Sequence, residues 1–377
     1  MNNDELLSKT ISYLRFPLTV GVVFIHFNLV KGIDIQGVSH GLNNPSWYFF
    51  IMNFLSSVLA SIAVPLFFVF SGFLFFYRKD FNATVYKQKL KSRAMTLLVP
   101  YIIWNIMVII WKLLKDILLT SSYSNPVEVH ITLLRIFNTF FFNTSSNGIF
   151  VGLPGTDPPG GIYPINIPLW YVRDLMTMII LSPLVYWLLK KVGRWYLLLL
   201  CLAWYTTQLY LPLGSYITML VKASFFFSLG AIFSIHKKNI VIFCRKYRYA
   251  PVIYMLVAIT DALTKGMEYN VYINKIGILL GMVSAIIITS YLLEYNKVKV
   301  NTTLGNSSFF IYALHTLVLG PVGVLMFTKL HIPESNPYAM LALYFAAPAI
   351  TVAICLACYV YIKRYIPKIG SLLTGGR

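Results

Sequence analysis

The chain has 377 residues, of which 58% are hydrophobic and 11% charged, with a formal net charge of +19. Soluble domains carry about 25% charged residues, so this composition, with a mean hydropathy of +0.71, excludes an ordinary soluble domain and points to an integral membrane protein. The basic residues sit in short runs between apolar stretches, which excludes a nucleic-acid-binding surface and fits loop charge that orients membrane helices.

The opening MNNDELLSKT is acidic before it is apolar. It lacks the basic start and small-residue cleavage site of a secretory signal. The first apolar segment is therefore expected to be a retained helix. A spanning helix needs roughly 20 mainly apolar residues. Ten candidates follow in order, near 10–30, 48–77, 96–119, 168–189, 195–213, 216–236, 249–264, 273–293, 306–328 and 338–362. The second is too long for one straight span, and Pro65 marks either a kink or the end of a short surface helix.

Lys and Arg alternate between the connections. RKDFNATVYKQKLKSR holds six, KKVGR three and HKKNIVIFCRKYR five; Lys297 and Lys299 follow the eighth span, and the tail adds four. The opposite connections hold only Lys31, Arg135, Lys265, Lys275 and Lys329. The expected fold class is thus all-α: a polytopic membrane protein of about ten transmembrane helices with both termini cytoplasmic. A single domain over 1–377 is expected, with no soluble appendage.

One outer connection, about 120–167, is long. ITLLRIFNTFFFN reads as an amphipathic or re-entrant piece, and NTSSNGIFVGLPGTDPPGGIYPINI as a loop rich in Gly, Pro and Asn. It is either a binding wall or a mobile surface loop. Cys355 and Cys358 form a C-x-x-C inside an apolar run, which suits packing better than redox or zinc chemistry. The six histidines are scattered without ligand spacing, so no metal is expected.

The first segment carries Arg15 and His26. Eleven residues at about 100° each place them about 20° apart on the helix, separated by about 16 Å along its axis. One face holds a permanent cation near the inner end and a titratable base near the outer end. Polar groups inside a membrane mark function by default. The alternatives are snorkelling for Arg15 and a hydrogen bond to a neighbouring helix for His26. Asp174 lies at a comparable depth, where it either fixes the histidine's tautomer or pairs with Arg173. Lys222 either binds an anionic group or snorkels, and His315 is a second candidate base at mid-span. KQKLKSRAMTLLVPY gathers Lys87, Lys89, Lys91 and Arg93 before an apolar span, a phosphate site or an ordinary basic flank.

Four blocks together carry a resemblance. They are R-x10-H from Arg15 to His26, VPLFFVFSGFLFF with Ser71 and Gly72, KSRAMTLLVPY, and PLWYVRDL with the late FFIYALH. The chain resembles the acyltransferase-3 family of bacterial integral-membrane acyltransferases across almost its whole length. The resemblance implies transfer of an acyl group, most often acetyl, from cytoplasmic acyl-CoA to a hydroxyl of a surface glycan or glycolipid. It implies His26 as catalytic base and Arg15 and Arg93 on the acyl-CoA side; Asp174, by its depth, joins His26 as a catalytic candidate, and Lys91 and Ser71 join the acyl-CoA candidates. Trp170, Lys222 and His315 are the candidates for the outer cleft that receives the acceptor. The family's R-x-x-R has Arg93 in its first position here, but Thr96 in its second; Lys91 or Lys89 is the expected substitute. No permanently bound cofactor is expected. The expected partners are acyl-CoA, a surface glycan or lipid-linked sugar, and membrane lipids, at the bacterial inner membrane. The rival reading is a transporter or exporter of a lipid-linked glycan or small solute, against which stands the lack of visible internal repeats.

Overall fold

The computed structural model describes residues 1–29, 33–35, 38–40, 44–78, 80–119, 133–142, 162–210 and 216–376. Within them run α1 (Asn3–His26), α2 (Ser46–Met52), α3 (Ala63–Phe76), α4 (Ala83–Arg93), α5 (Val99–Leu119), α6 (Leu133–Phe141), α7 (Trp170–Ile180) and α8 (Ser182–Lys191). There follow α9 (Arg194–Tyr210), α10 (Tyr216–Ile235), α11 (Ile240–Arg245), α12 (Ala250–Leu263), α13 (Asn270–Glu294), α14 (Thr302–Lys329), α15 (Pro337–Tyr365) and α16 (Pro367–Thr374). Each expected apolar segment falls on a helix. The only strands among the described residues are β1 (Ile33–Ile35) and β2 (Val38–His40), an antiparallel pair.

Six described helices are long and apolar enough to cross a membrane, or seven if the bent pair Ile167–Ile180 and Ser182–Lys191 forms one span. That pair breaks by 61°, where the sequence suggested one straight segment. Ser182 and Pro183 restart the helix, and the Ser182 hydroxyl caps Ile179 O at 2.7 Å. The Ser46–Phe76 stretch is also irregular, but not at Pro65. It widens into a π-helix over Asn53–Leu59 and tightens into a 3-10 turn over Ala60–Ile62. Such wide turns often mark functional regions. Pro65 sits in the first turn of α3, where a missing N–H costs little.

The backbones of α3 and α10 touch. A Cβ on Gly72 would lie 2.0 Å from Phe227 O, and one on Gly230 would lie 1.8 Å from Val69 O. Glycine at both positions is what permits the approach, as in close membrane helix pairs. Ser71 and Gly72 thus divide their labour: the glycine packs, and the serine turns toward the interior.

The N-terminus meets the basic connections at one end of the bundle. Asn239 Nδ2 donates to Asn3 O at 2.9 Å, Arg78 lies 3.9 Å from Asp4, and Lys237 lies 3.9 Å from Asp80. At the tail, Trp104 Nε1 on α5 donates to Leu373 O on α16 at 3.0 Å. Cys355 is buried in the core, and all four cysteines are free thiols.

The long connection is only partly described, since 120–132 and 143–161 lie outside the described residues. Its remainder does not float at the surface. Ile165, Asn166 and Leu169 are buried, and Asn166 Nδ2 donates to Ala313 O on α14 at 3.1 Å. Asn105 Oδ1 accepts from Asn166 N at 3.0 Å, and the Tyr312 hydroxyl donates to Pro168 O. The segment is a strap driven into the bundle.

Candidate active site

His26 is the last residue of α1, and His315 lies mid-way along α14. Their ring centroids are 4.9 Å apart at 63°. The partners fix the protons. A carbonyl oxygen only accepts, so a ring nitrogen facing one must carry hydrogen. His315 Nδ1 lies 2.8 Å from Tyr312 O and therefore holds the proton. His315 Nε2 is then a bare lone pair, and it lies 3.3 Å from His26 Nδ1. His26 Nδ1 also lies 2.9 Å from Val22 O, so it too carries hydrogen, shared between that carbonyl and His315. What remains is His26 Nε2, deprotonated and without a hydrogen-bond partner among the described residues, on a residue that is exposed at this end of the molecule. This is the tautomer a general base requires.

Toward the other end lies a cavity of about 210 Å³. Arg15 and Thr19 of α1, Ser71 of α3, Arg93 of α4, Tyr171 of α7 and Tyr312 of α14 are among its walls. Ser71 and Tyr171 hydroxyls are hydrogen-bonded at 2.9 Å. Most of the remaining lining is Phe, Leu, Ile and Val, so two guanidiniums sit in an otherwise greasy chamber. Tyr312 closes it: its side chain lines the cavity while its carbonyl holds His315. Thr19 is about two turns from His26 along α1.

The residues singled out in the sequence therefore sort into groups. Arg15, Arg93 and Ser71 share the cavity. Lys91 is exposed and not part of that lining. The reason is helical phase, because two residues turn the helix about 200° from Arg93. Lys89, one turn before Arg93, is the lysine that comes inward, donating to Phe75 O beside the cavity. Thr96 meets the C-terminal turn, where a Cβ on Gly375 would lie 2.1 Å from Thr96 O. That contact runs through the Thr96 backbone, and Arg15 supplies the cavity's second guanidinium.

Arg173 Nε donates to Asp174 Oδ1 at 2.8 Å, and both side chains are buried. Arg173 also donates to Phe141 O and Ile162 O, each at 2.6 Å. The pair thus ties α6 and the strap to α7, and the imidazole's partner is His315 rather than this carboxylate. His315, expected in an open cleft, is fully buried, with its Nε2 facing the exposed His26. Lys222 Nζ and the Trp170 ring do meet, at 5.9 Å.

Sequence reasoning missed the contact of the two histidines, because no spacing rule links residues 289 apart. It also missed Tyr171, Tyr312 and Thr19. Tyr171 sits inside the quoted PLWYVRDL and Tyr312 inside FFIYALH, so the motifs pointed to the right elements without naming the right atoms.

Residues 9–360 match the profile of the acyltransferase-3 family, described as an acyltransferase domain. The chain belongs to this family. It is a multi-pass membrane acyltransferase. Among acyltransferase-3 relatives, it is similar to the succinoglycan biosynthesis protein ExoH of Rhizobium meliloti (strain 1021). The two are 27% identical over 398 residues, spanning 99% of this chain and 94% of that protein. No solved structure matches.

Proposed function

We propose that the protein is an O-acyltransferase of the bacterial inner membrane, carrying an acyl group, most often acetyl in this family, from cytoplasmic acyl-CoA to a hydroxyl of a surface glycan or lipid-linked sugar. One observation carries the reading. His26 presents an unprotonated Nε2 at one end of a helix face whose other end, at Arg15, opens into an arginine-bearing cavity. The similarity to a succinoglycan biosynthesis protein supports a polysaccharide as the acceptor.

In this mechanism His26 Nε2 takes the proton of the acceptor hydroxyl. The hydroxyl oxygen attacks the thioester carbonyl carbon. The tetrahedral oxyanion collapses, the C–S bond breaks, and the departing CoA sulfur receives the proton back from His26. Arg15 and Arg93 hold the donor in the cavity below, with Tyr312 between that cavity and His315. Positioned general-base help is worth about 10²–10⁴-fold.

The test uses purified protein in lipid nanodiscs with labelled acetyl-CoA and oligosaccharide acceptors. His26→Ala, folded by thermal melt, is expected to lose transfer by about 10²–10⁴-fold. Full transfer by that variant refutes the mechanism. Wild-type protein that moves solute across a vesicle but never consumes acyl-CoA refutes the enzyme assignment.

A further inference from the structure

Beside the catalytic cavity lie two more hollows, and their walls overlap. A narrow one of about 140 Å³ is lined by Ile11, Arg15 and Leu74, which also line the catalytic cavity. It is lined too by Asp4, Leu7, Phe73, Tyr77 and Arg78, which also line a vestibule of about 680 Å³. Sharing these walls, the three adjoin in series from the basic end of the bundle to Tyr312. Helix α1 runs its length. Asp4, Leu7, Ile11, Arg15, Thr19 and His26 fall within an arc of about 120° at 100° per residue.

We propose that this vestibule is the nucleotide site of the donor: it binds the phosphates and adenine of acyl-CoA, while the pantetheine arm threads the narrow hollow past Arg15. The assignment rests on the acyl-CoA reading above, but places the phosphates on different residues from Arg93. The vestibule carries Arg78, Lys190, Lys237 and Lys238. The acidic residues in its lining, Asp4 and Asp80, stand 3.9 Å from Arg78 and Lys237. Charge-assisted hydrogen bonds are about 2.7–2.9 Å long, so these pairs steer the cations without consuming their donors.

Arg78 and Lys237 also have left-handed backbones, with φ of 64° and 54°. Non-glycine residues adopt that region at a cost, and here both turns aim a cation at one hollow. Aromatic faces complete it. Phe81 and Tyr186 have centroids 5.0 Å apart, and Phe76 stacks on Tyr186 at 6.0 Å and 21°. Aromatic side chains of this kind hold nucleobases.

The experiment compares acetyl-CoA with S-acetyl-N-acetylcysteamine, a thioester without the nucleotide, in nanodiscs of phosphatidylcholine. Lys237→Gln/Lys238→Gln is expected to lower the ratio of kcat/KM for the two donors by about 10-fold or more, and to weaken adenosine 3′,5′-bisphosphate binding by a similar factor. Arg78→Gln is the second variant, should the first misfold. An unchanged ratio in folded variants overturns the proposal, as does wild-type protein that fails to bind the bisphosphate. Bisphosphate binding that vanishes when phosphatidylglycerol replaces phosphatidylcholine makes this a lipid-headgroup hollow, and also overturns it. Bisphosphate binding lost in the variants, in a protein that uses neither thioester, upholds the vestibule and sinks the acyl-CoA reading instead.

Discussion

Replacing His315 by Ala tests the proton arrangement more sharply than removing the base itself. In the resting site, His315 Nε2 accepts a 3.3 Å hydrogen bond from a donor already shared with Val22 O. A long, shared, neutral bond is worth less than about 1 kcal/mol. During proton abstraction His26 becomes a cation, and the same bond becomes charge-assisted, worth about 1.5–3 kcal/mol. Val22 O retains part of the donor, so the lower figure applies. At 1.36 kcal/mol per tenfold, and with the small neutral bond lost from the resting site subtracted, kcat falls by about 5–10-fold, with little change in either KM. His315→Gln places an amide oxygen near the lost nitrogen and should recover most of that loss. The assay is release of free CoA thiol at saturating donor and acceptor, alongside thermal melts to establish folding. A folded His315→Ala variant with kcat within about twofold of wild type would refute the reasoning. So would one as inactive as His26→Ala, which would make His315 the base.

Other outcomes can be measured on the same preparations. Arg15→Gln should raise KM for acyl-CoA by about 10-fold or more, as expected for one lost charged contact, and leave acceptor KM nearly unchanged. Gly230→Val should yield no folded protein by size-exclusion chromatography, since its first side-chain atom would lie 1.8 Å from the Val69 carbonyl oxygen, and backbone cannot retreat like a flexible side chain. Asp174→Asn strips one partner from a buried ion pair, a loss of about 3–5 kcal/mol. It should lower the melting temperature and expose the strap over 162–169 to protease before it affects donor KM.

Much of the architecture is written in local chemistry. Hydropathy places every long helix because a bilayer demands an unbroken apolar run, and helical phase alone puts Arg15 and His26 on a common face. Features that depend on what another helix does are not visible this way. The 61° break after α7 needs a specific serine cap and proline restart. Lys89 rather than Lys91 turns inward because of how α4 is rotated against α3. Asp174 was open to either an imidazole or Arg173, because depth alone does not choose between them, and the structure takes its own neighbour in the chain. His315 stood out as an intramembrane base, yet its partner lies on a helix at the far end of the chain.

The arrangement on α1 makes its spacing a ruler as well as a compass. One residue added between Arg15 and His26 would swing the outer half by about 100° and lengthen it by only about 1.5 Å. The imidazole would then leave His315 while staying at nearly its old height. Seven added residues would almost restore the bearing but lift the ring about 10 Å, beyond where a threaded thioester ends. The interval is thus fixed in angle and in depth at once, and the opening helix tolerates changes of letter far better than changes of length.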